Sequence, residues 1–376
     1  MRGAAPSRPP VLLAALLLAS AVPVPAAEDP PPPPPAPGAP AAGAETVAES
    51  ARIDAWVRGV GDPDPEIRRS AARALVERGR AAVAPLRESL EKGPPGGRPR
   101  RRALADLLEA GDGWRVGPVP AALRRALGLA PFYGKHLDAR GLPVLASGRV
   151  EDAALREAKF LVEAMVGHRP EILSALATAR VRVVVMSVAE FTADVPEHSD
   201  LEPRDHWNRR ARGLGATAER PVVSCGEENL LRLAGDPYPG ESILVHEFSH
   251  AVHGVALARI DPEFDRLLEE AFLAARKRGL WEGTYAGTDR LEYWAEGAQS
   301  WFGTNPEPDP SHNHVNTRAE LLEYDPGLAA LCRRVFAGRD WSYLRPADRV
   351  PPPFHLADFV PEGAPRFSWG LLDARK

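Results

Sequence analysis

The chain has 376 residues, of which 44% are hydrophobic, 26% charged and 7% aromatic, and its formal net charge is -4. That length suits a globular protein of about two domains, and a mildly acidic balance offers no electrostatic footprint for nucleic acid or an anionic membrane surface. Two cysteines, Cys225 and Cys332, exclude a disulfide scaffold and a cysteine-rich zinc ribbon, and leave open only a single bond between them in an oxidising compartment.

Arg2 and Arg8 precede the apolar run VLLAALLLASAV at residues 11–22 and the small-residue stretch VPAA at 24–27. A positive flank, an apolar stretch of about 12 residues and an A-x-A-like exit mark residues 1–27 as a cleavable secretory signal peptide. A bilayer span would need ~20 apolar residues, and no later run approaches that length. The expectation is an exported protein, periplasmic or secreted, with no membrane span in its mature form. Residues 28–44 contain PPPPPPAPGAP; proline fixes φ and lacks the amide donor, so this stretch reads as a semi-rigid linker.

Residues 45–128 read as short amphipathic helices. Asp62-Pro63-Asp64-Pro65-Glu66 opens IRRSAARALVERG, in which Ile67, Ala71, Ala74 and Leu75 recur at helical spacing and Gly79 closes the run. Ala82 starts a second helix containing Leu86 and Leu90, and RALADLLEA at 102–110 supplies a third. The DPDPE start, the RxxAARAL helix and the AVAPLRESL partner resemble a HEAT-like repeat. Solenoid units bury a core only against stacked neighbours. The segment is therefore expected to lean on the following domain, either as a structural lid, as a surface for a protein partner or as a pro-segment.

Residues 129–376 form the second domain. Ala154, Leu155, Ala158, Leu161, Val162 and Met165 lie on one helical face. VRVVVMSV at 181–188 is a nearly continuous β-branched run, as a strand buried on both faces requires. A second short strand is expected at 221–225, and helices dominate after Ser242. This pattern gives an α+β fold class.

The chemistry-bearing motif is His246-Glu247-Phe248-Ser249-His250, an H-E-x-x-H sequence. Leu244, Phe248, Ala251, Val252 and Val255 make one apolar helix face. His246 and His250 then lie one turn apart on the other side, where both imidazoles can reach one ion. Glu247 is about 100° around the axis, placed to meet a metal-held water rather than the metal. Catalytic zinc needs a third protein ligand and an open fourth position. His253, only three residues beyond His250, would strain a tetrahedron from one helix. The better candidates lie in Glu292-Tyr293-Trp294-Ala295-Glu296, where Leu291, Trp294, Ala295, Ala298 and Phe302 form a buried stripe and Asp289 can cap the helix. Glu292 and Glu296 share the adjacent face, and spacing alone does not choose between them.

HEFSHAVH followed by GLWEGTYAGTDRLEYWAEGAQSWF resembles the anthrax lethal factor-type zinc metallopeptidases and their exported relatives, and the resemblance covers roughly residues 131–343. These are gluzincins with a zincin-like fold whose third ligand is the first Glu of an E-[FY]-x-A-E helix. Carried onto this chain, the resemblance implies Zn2+ held by His246, His250 and Glu292, with Glu247 as general base and Tyr285 stabilising the oxyanion. It implies an exported zinc metallopeptidase that hydrolyses a peptide or protein substrate through a zinc-bound water. Two alternatives remain at this stage: a non-cutting, zinc-stabilised binding protein, and a zinc amidase acting on a non-protein amide. Retention of Glu247 and Tyr285 argues against the first, since neither is needed merely to hold zinc.

Other residues carry weaker expectations. Glu296 can orient a ligand histidine or be plain surface charge. His312, Asn313 and His314 follow a proline-rich loop, where they line the cleft or are simply solvated. Glu227, Glu228 and Asn229 are expected to cap a helix or pair with the arginines of RARG at 210–213. Trp281, Trp294 and Trp301 read as core aromatics.

Overall fold

The computed structural model describes residues 42–306, 308–337, 341–349 and 351–375; the expected signal peptide and most of the linker lie outside them. Four helices open the described chain: α1 (Ala42–Gly59), α2 (Pro65–Arg78), α3 (Val83–Lys92) and α4 (Arg98–Ala110). A short α5 (Ala121–Leu127) leads into β1 (Lys135–Ala139) and β2 (Leu142–Ala146), and α6 (Asp152–Val166) and α7 (Pro170–Thr178) return the chain to β3 (Arg182–Met186). Next come α8 (Arg204–Arg210), β4 (Gly213–Leu214), β5 (Val222–Gly226) and α9 (Glu227–Leu231). The remaining described elements are helices: α10 (Ile243–Ala251), α11 (Ala258–Ile260), α12 (Glu263–Lys277), α13 (Arg290–Phe302), α14 (Arg318–Tyr324), α15 (Pro326–Phe336) and α16 (Gly370–Asp373), with short 3-10 turns between some of them. The α+β class expected from the sequence is what the chain adopts.

The sheet has the order β1-β2-β3-β5-β4, with β2, β3 and β5 parallel and the two edge strands antiparallel to their neighbours. All five residues of β3 are buried, because the sheet is covered on both faces. Val183 and Val185 face the main core with α6 and α10, whereas Val184 and Met186 face a smaller cluster with Tyr133, Leu145 and Val222. The β1–β2 hairpin was not anticipated. KHLDA and LPVLA are short, and the polar first strand masks the alternation. The turn between them nonetheless carries a hairpin signal, since Arg140 (φ 53) and Gly141 (φ 94) both take the positive φ that tight two-residue hairpin turns need.

Residues 48–376 form one compact unit. The first four helices share a core of Ile53, Val57, Leu75, Leu86 and Leu104, which Ala357 from the C-terminal segment completes. Trp114 stacks on His355 at 5.6 Å and meets Phe354 edge-on at 5.0 Å. His355 Nε2 is in turn 2.8 Å from the buried Glu157 of α6, which Arg349 also grips at 2.6 Å and 2.8 Å. The C-terminal segment thus links the helical segment to the domain that follows it. Cys225 on β5 and Cys332 on α15 are both buried free thiols, each pushed up by burial.

Arg212 anchors the entry to β4. Its Nε donates to Glu228 Oε1 (2.5 Å) and its Nη2 to Glu228 Oε2 (3.1 Å) and Ser187 O (3.1 Å), while Nη1 donates to Glu190 O. Both side chains are at 0% exposure, with the guanidinium 4.6 Å from the Phe367 ring centroid. Removing one member of a buried, fully bonded pair leaves the other charge uncompensated. Glu228→Gln is therefore expected to destabilise the protein by about 3–5 kcal/mol in a chemical-denaturation experiment; a change within about 0.5 kcal/mol, typical of surface positions, would contradict it.

Candidate metal centre

The α10 helix begins where α9 holds it. Asn229 Oδ1 accepts from Ile243 N at 2.9 Å, while Asn229 Nδ2 donates to the carbonyls of Tyr238 (3.1 Å) and Glu241 (3.0 Å). Leu244, Phe248 and Ala251 are fully buried against the sheet and α6, leaving His246, Glu247 and His250 on the side that faces the cleft. After Ala251 the helix widens into a π-turn at Val252–Leu257, a form that often marks functional segments. The α13 helix is started by Asp289, whose carboxylate accepts from Leu291 N (2.7 Å) and Glu292 N (3.1 Å). Its crossing of α10 is pinned by Trp294 Nε1 donating to Ser249 O at 2.8 Å.

These two helices bring three predicted residues together. Glu292 Oε2 lies 3.1 Å from His246 Nε2 and 3.5 Å from His250 Nε2, and the two Nε2 atoms are 3.2 Å apart. Among the described residues, His246, His250 and Glu292 are the group of His, Cys, Asp or Glu side chains able to hold an ion, their ligand atoms all within 4.8 Å of one another. Burial disfavours the charged carboxylate, yet hydrogen bonds from His246 and His250 hold Glu292 well below the usual carboxylate range. Burial likewise opposes the charge on His246, but Glu292 and Glu296 raise it well above the usual imidazole value. Two imidazole nitrogens and an ionised carboxylate oxygen, clustered this tightly, form a candidate donor set for a divalent cation.

Glu247 and Tyr285 line the same cleft, of about 480 Å³, with Arg210, Leu214, Gly215 and Leu291. Glu247 stands outside the three-residue group, and burial pushes its carboxyl up against the pull of His246 and His250. Tyr285 is 37% exposed, its ring stacked on His246 at 6.1 Å, and its backbone N–H donates to Ser311 O at 2.7 Å. Burial and the neighbouring Glu292 push its phenol up, so it remains a donor. The edge strand β4 reaches the cleft because glycine permits it. A methyl group at Gly215 would stand 2.9 Å from His250 Cβ and 3.2 Å from Glu247 Oε2.

The remaining predicted residues fall elsewhere. His253 Nε2 is 3.1 Å from Asp265 Oδ1, which Arg290 also holds, so its imidazole is engaged beside the ligand group. Glu296 sits behind His246, Oε1 3.4 Å from Nδ1, and its Oε2 is 3.6 Å from His312 Nε2. His312 thus backs the site instead of lining the cleft, and His314 meets Tyr324 edge-on at 5.4 Å. Leu291 departs from the expected buried stripe; it is 41% exposed at the cleft, while Trp294, Ala295, Ala298 and Phe302 are buried. Trp281, Trp294 and Trp301 are core residues at 2%, 0% and 4% exposure. The sequence reading missed Gln299, whose Oε1 is 2.7 Å from His246 Nδ1, and Glu241, which accepts from Gln299 Nε2 at 3.2 Å. A polar residue at i+7 from Glu292 and i+3 from Glu296, on the same side of the helix, was the available signal.

No family model matches the chain, and comparisons with curated proteins and with solved structures also find no match.

Proposed function

We propose that the protein is an exported zinc-dependent metallopeptidase of the gluzincin type, with a zincin-like catalytic region and a HEAT-like helical segment before it. The observation that carries this reading is the approach of His246 Nε2, His250 Nε2 and Glu292 Oε2 to 3.1–3.5 Å in one cleft with Glu247 and Tyr285. Two imidazoles, one carboxylate and an open side suit Zn2+ among the divalent metals. Bound there, Zn2+ supplies Lewis acidity, polarising a carbonyl and making water nucleophilic near neutral pH.

The chain's own residues do the rest. Glu247, poised by burial, takes a proton from the attacking water and hands it to the leaving amine. The Tyr285 hydroxyl, at the cleft, donates to the oxyanion that develops on the substrate carbonyl. β4 is the edge strand beside the cleft, and addition of an extended peptide along such an edge is the proposed mode of substrate binding. The substrate is accordingly a peptide or protein segment in extended form. The secretory peptide and linker read from the sequence support export, and the helical segment is a structural lid or a docking face for a protein partner. No described helix is long and apolar enough to cross a membrane.

Digestion of a mixed peptide library by the full chain, with and without chelator and alongside metal analysis, tests the reading. Chelator-sensitive cleavage by protein carrying one zinc supports it; intact peptides with zinc bound would favour a non-cutting binding protein or an amidase for another substrate. Tyr285→Phe removes one donor and none of the three proposed ligand atoms, so turnover should fall by about 10²–10³-fold, or ~3 kcal/mol, at unchanged zinc content. Unaltered turnover in that variant would remove Tyr285 from the mechanism.

A further inference from the structure

We propose that Gln299 and Glu241 act as a positioning pair that fixes the ring and tautomer of His246, so that its Nε2 lone pair points at the metal position. The inference rests on the metal reading above and concerns residues which that reading does not use.

Gln299 is fully buried, and its Nε2 faces two acceptors, Glu241 Oε2 at 3.2 Å and Thr304 O at 3.4 Å. Turning the amide over would aim its carbonyl oxygen at both and leave two acceptor–acceptor contacts in a buried site. The orientation is therefore set by Glu241 and Thr304, and Oε1 must face His246 Nδ1, 2.7 Å away. An oxygen that can only accept forces Nδ1 to carry the hydrogen. In neutral His246 the lone pair then lies on Nε2, the atom that meets Glu292 and His250. Outer partners of this kind orient a ligand histidine and hold its tautomer.

Glu296 is the competing acceptor. Its Oε1 lies 3.4 Å from the same Nδ1 and has no hydrogen-bond partner among the described residues. The shorter contact belongs to Gln299. A neutral acceptor at this position also avoids adding another charge beside Glu241, Glu292 and Glu296. The chain uses an amide for the contact and leaves the carboxylate one step further back, as the acceptor that holds the amide.

The test is zinc affinity, measured on the full chain by competition with a chromophoric chelator, with circular dichroism and thermal unfolding as checks of folding. Gln299→Leu should weaken zinc binding by about 10- to 100-fold without altering secondary structure, and Glu296→Gln should weaken it less. Gln299→Glu alone sets a carboxylate against Glu241 and should also bind zinc less tightly. Adding Glu241→Gln to that variant reverses the polarity of the pair, with the new amide donating to the new carboxylate, and should restore most of the lost affinity. A merely structural role predicts no such rescue. Should Gln299→Leu fail to fold, the comparison of Gln299→Glu with the double variant decides the matter. Equal zinc affinity in all variants, a larger loss in Glu296→Gln, or no rescue in the double variant would each overturn the pair. Failure of the unaltered protein to bind zinc would instead overturn the metal reading beneath it.

Discussion

On the proposed peptidase reading, Glu247→Gln is expected to lower peptide hydrolysis by about 10²–10⁴-fold while zinc stays bound at the level of the unaltered protein. Glu247 is not one of the three residues whose ligand atoms cluster, so the substitution should not unload the metal. Glutamine matches glutamate in volume and keeps the tight spacing to Gly215. What it lacks is a basic oxygen, and proton transfer is the role assigned to this position. Burial also raises the Glu247 carboxyl above its ordinary value, which makes the ionised form a stronger base than a solvated glutamate. Elemental analysis and turnover should be measured on one preparation. Undiminished turnover would refute the base assignment, and loss of zinc together with activity would make Glu247 a ligand.

The parts of this site that were legible in the sequence are those carried by one helix. The i,i+4 spacing of His246 and His250, with the buried positions Leu244 and Phe248 opposite, is a local property of 3.6-residue periodicity. Asp289 was readable as a cap for the same reason, because an N-cap contact spans only two or three residues. The choice between Glu292 and Glu296 was not local. Both lie on one face of α13, and what separates them is where that helix crosses α10, a height fixed in part by the hydrogen bond from Trp294 to Ser249. Gln299 was hidden by the same problem, since it meets His246 across 53 residues of chain. Glu228 was anticipated as a partner for the RARG arginines, although not that Arg212 alone would be buried with it at 0% exposure. Single-sequence periodicity reports the face a residue occupies, and only packing reports the neighbour it meets. A different limit concealed the β1–β2 hairpin, whose five-residue strands are too short and too uneven in polarity for alternation to stand out.

On the same proposed reading, Glu292→Ala should abolish tight zinc binding, whereas Glu296→Ala should cost no more than the about 10- to 100-fold ascribed to outer partners. The geometry separates the two carboxylates clearly. Glu292 Oε2 lies 3.1 Å and 3.5 Å from the two imidazole nitrogens that face each other, on the cleft side. Glu296 is 2% exposed and approaches His246 from Nδ1, the nitrogen turned away from that point. A single ion cannot be ligated by His246 Nε2 and by an atom behind Nδ1 of the same ring, so only one glutamate can complete the set. Removing Glu292 leaves two neutral imidazoles from one helix, too few for a stable tetrahedral site. Removing Glu296 leaves all three ligand atoms in place and Gln299 still bonded to Nδ1. Chelator competition on the two variants, with unfolding midpoints measured without metal to separate folding from ligation, reads the difference directly. The reverse ranking would require His246 to coordinate through Nδ1, which in turn would demand that Gln299 release it.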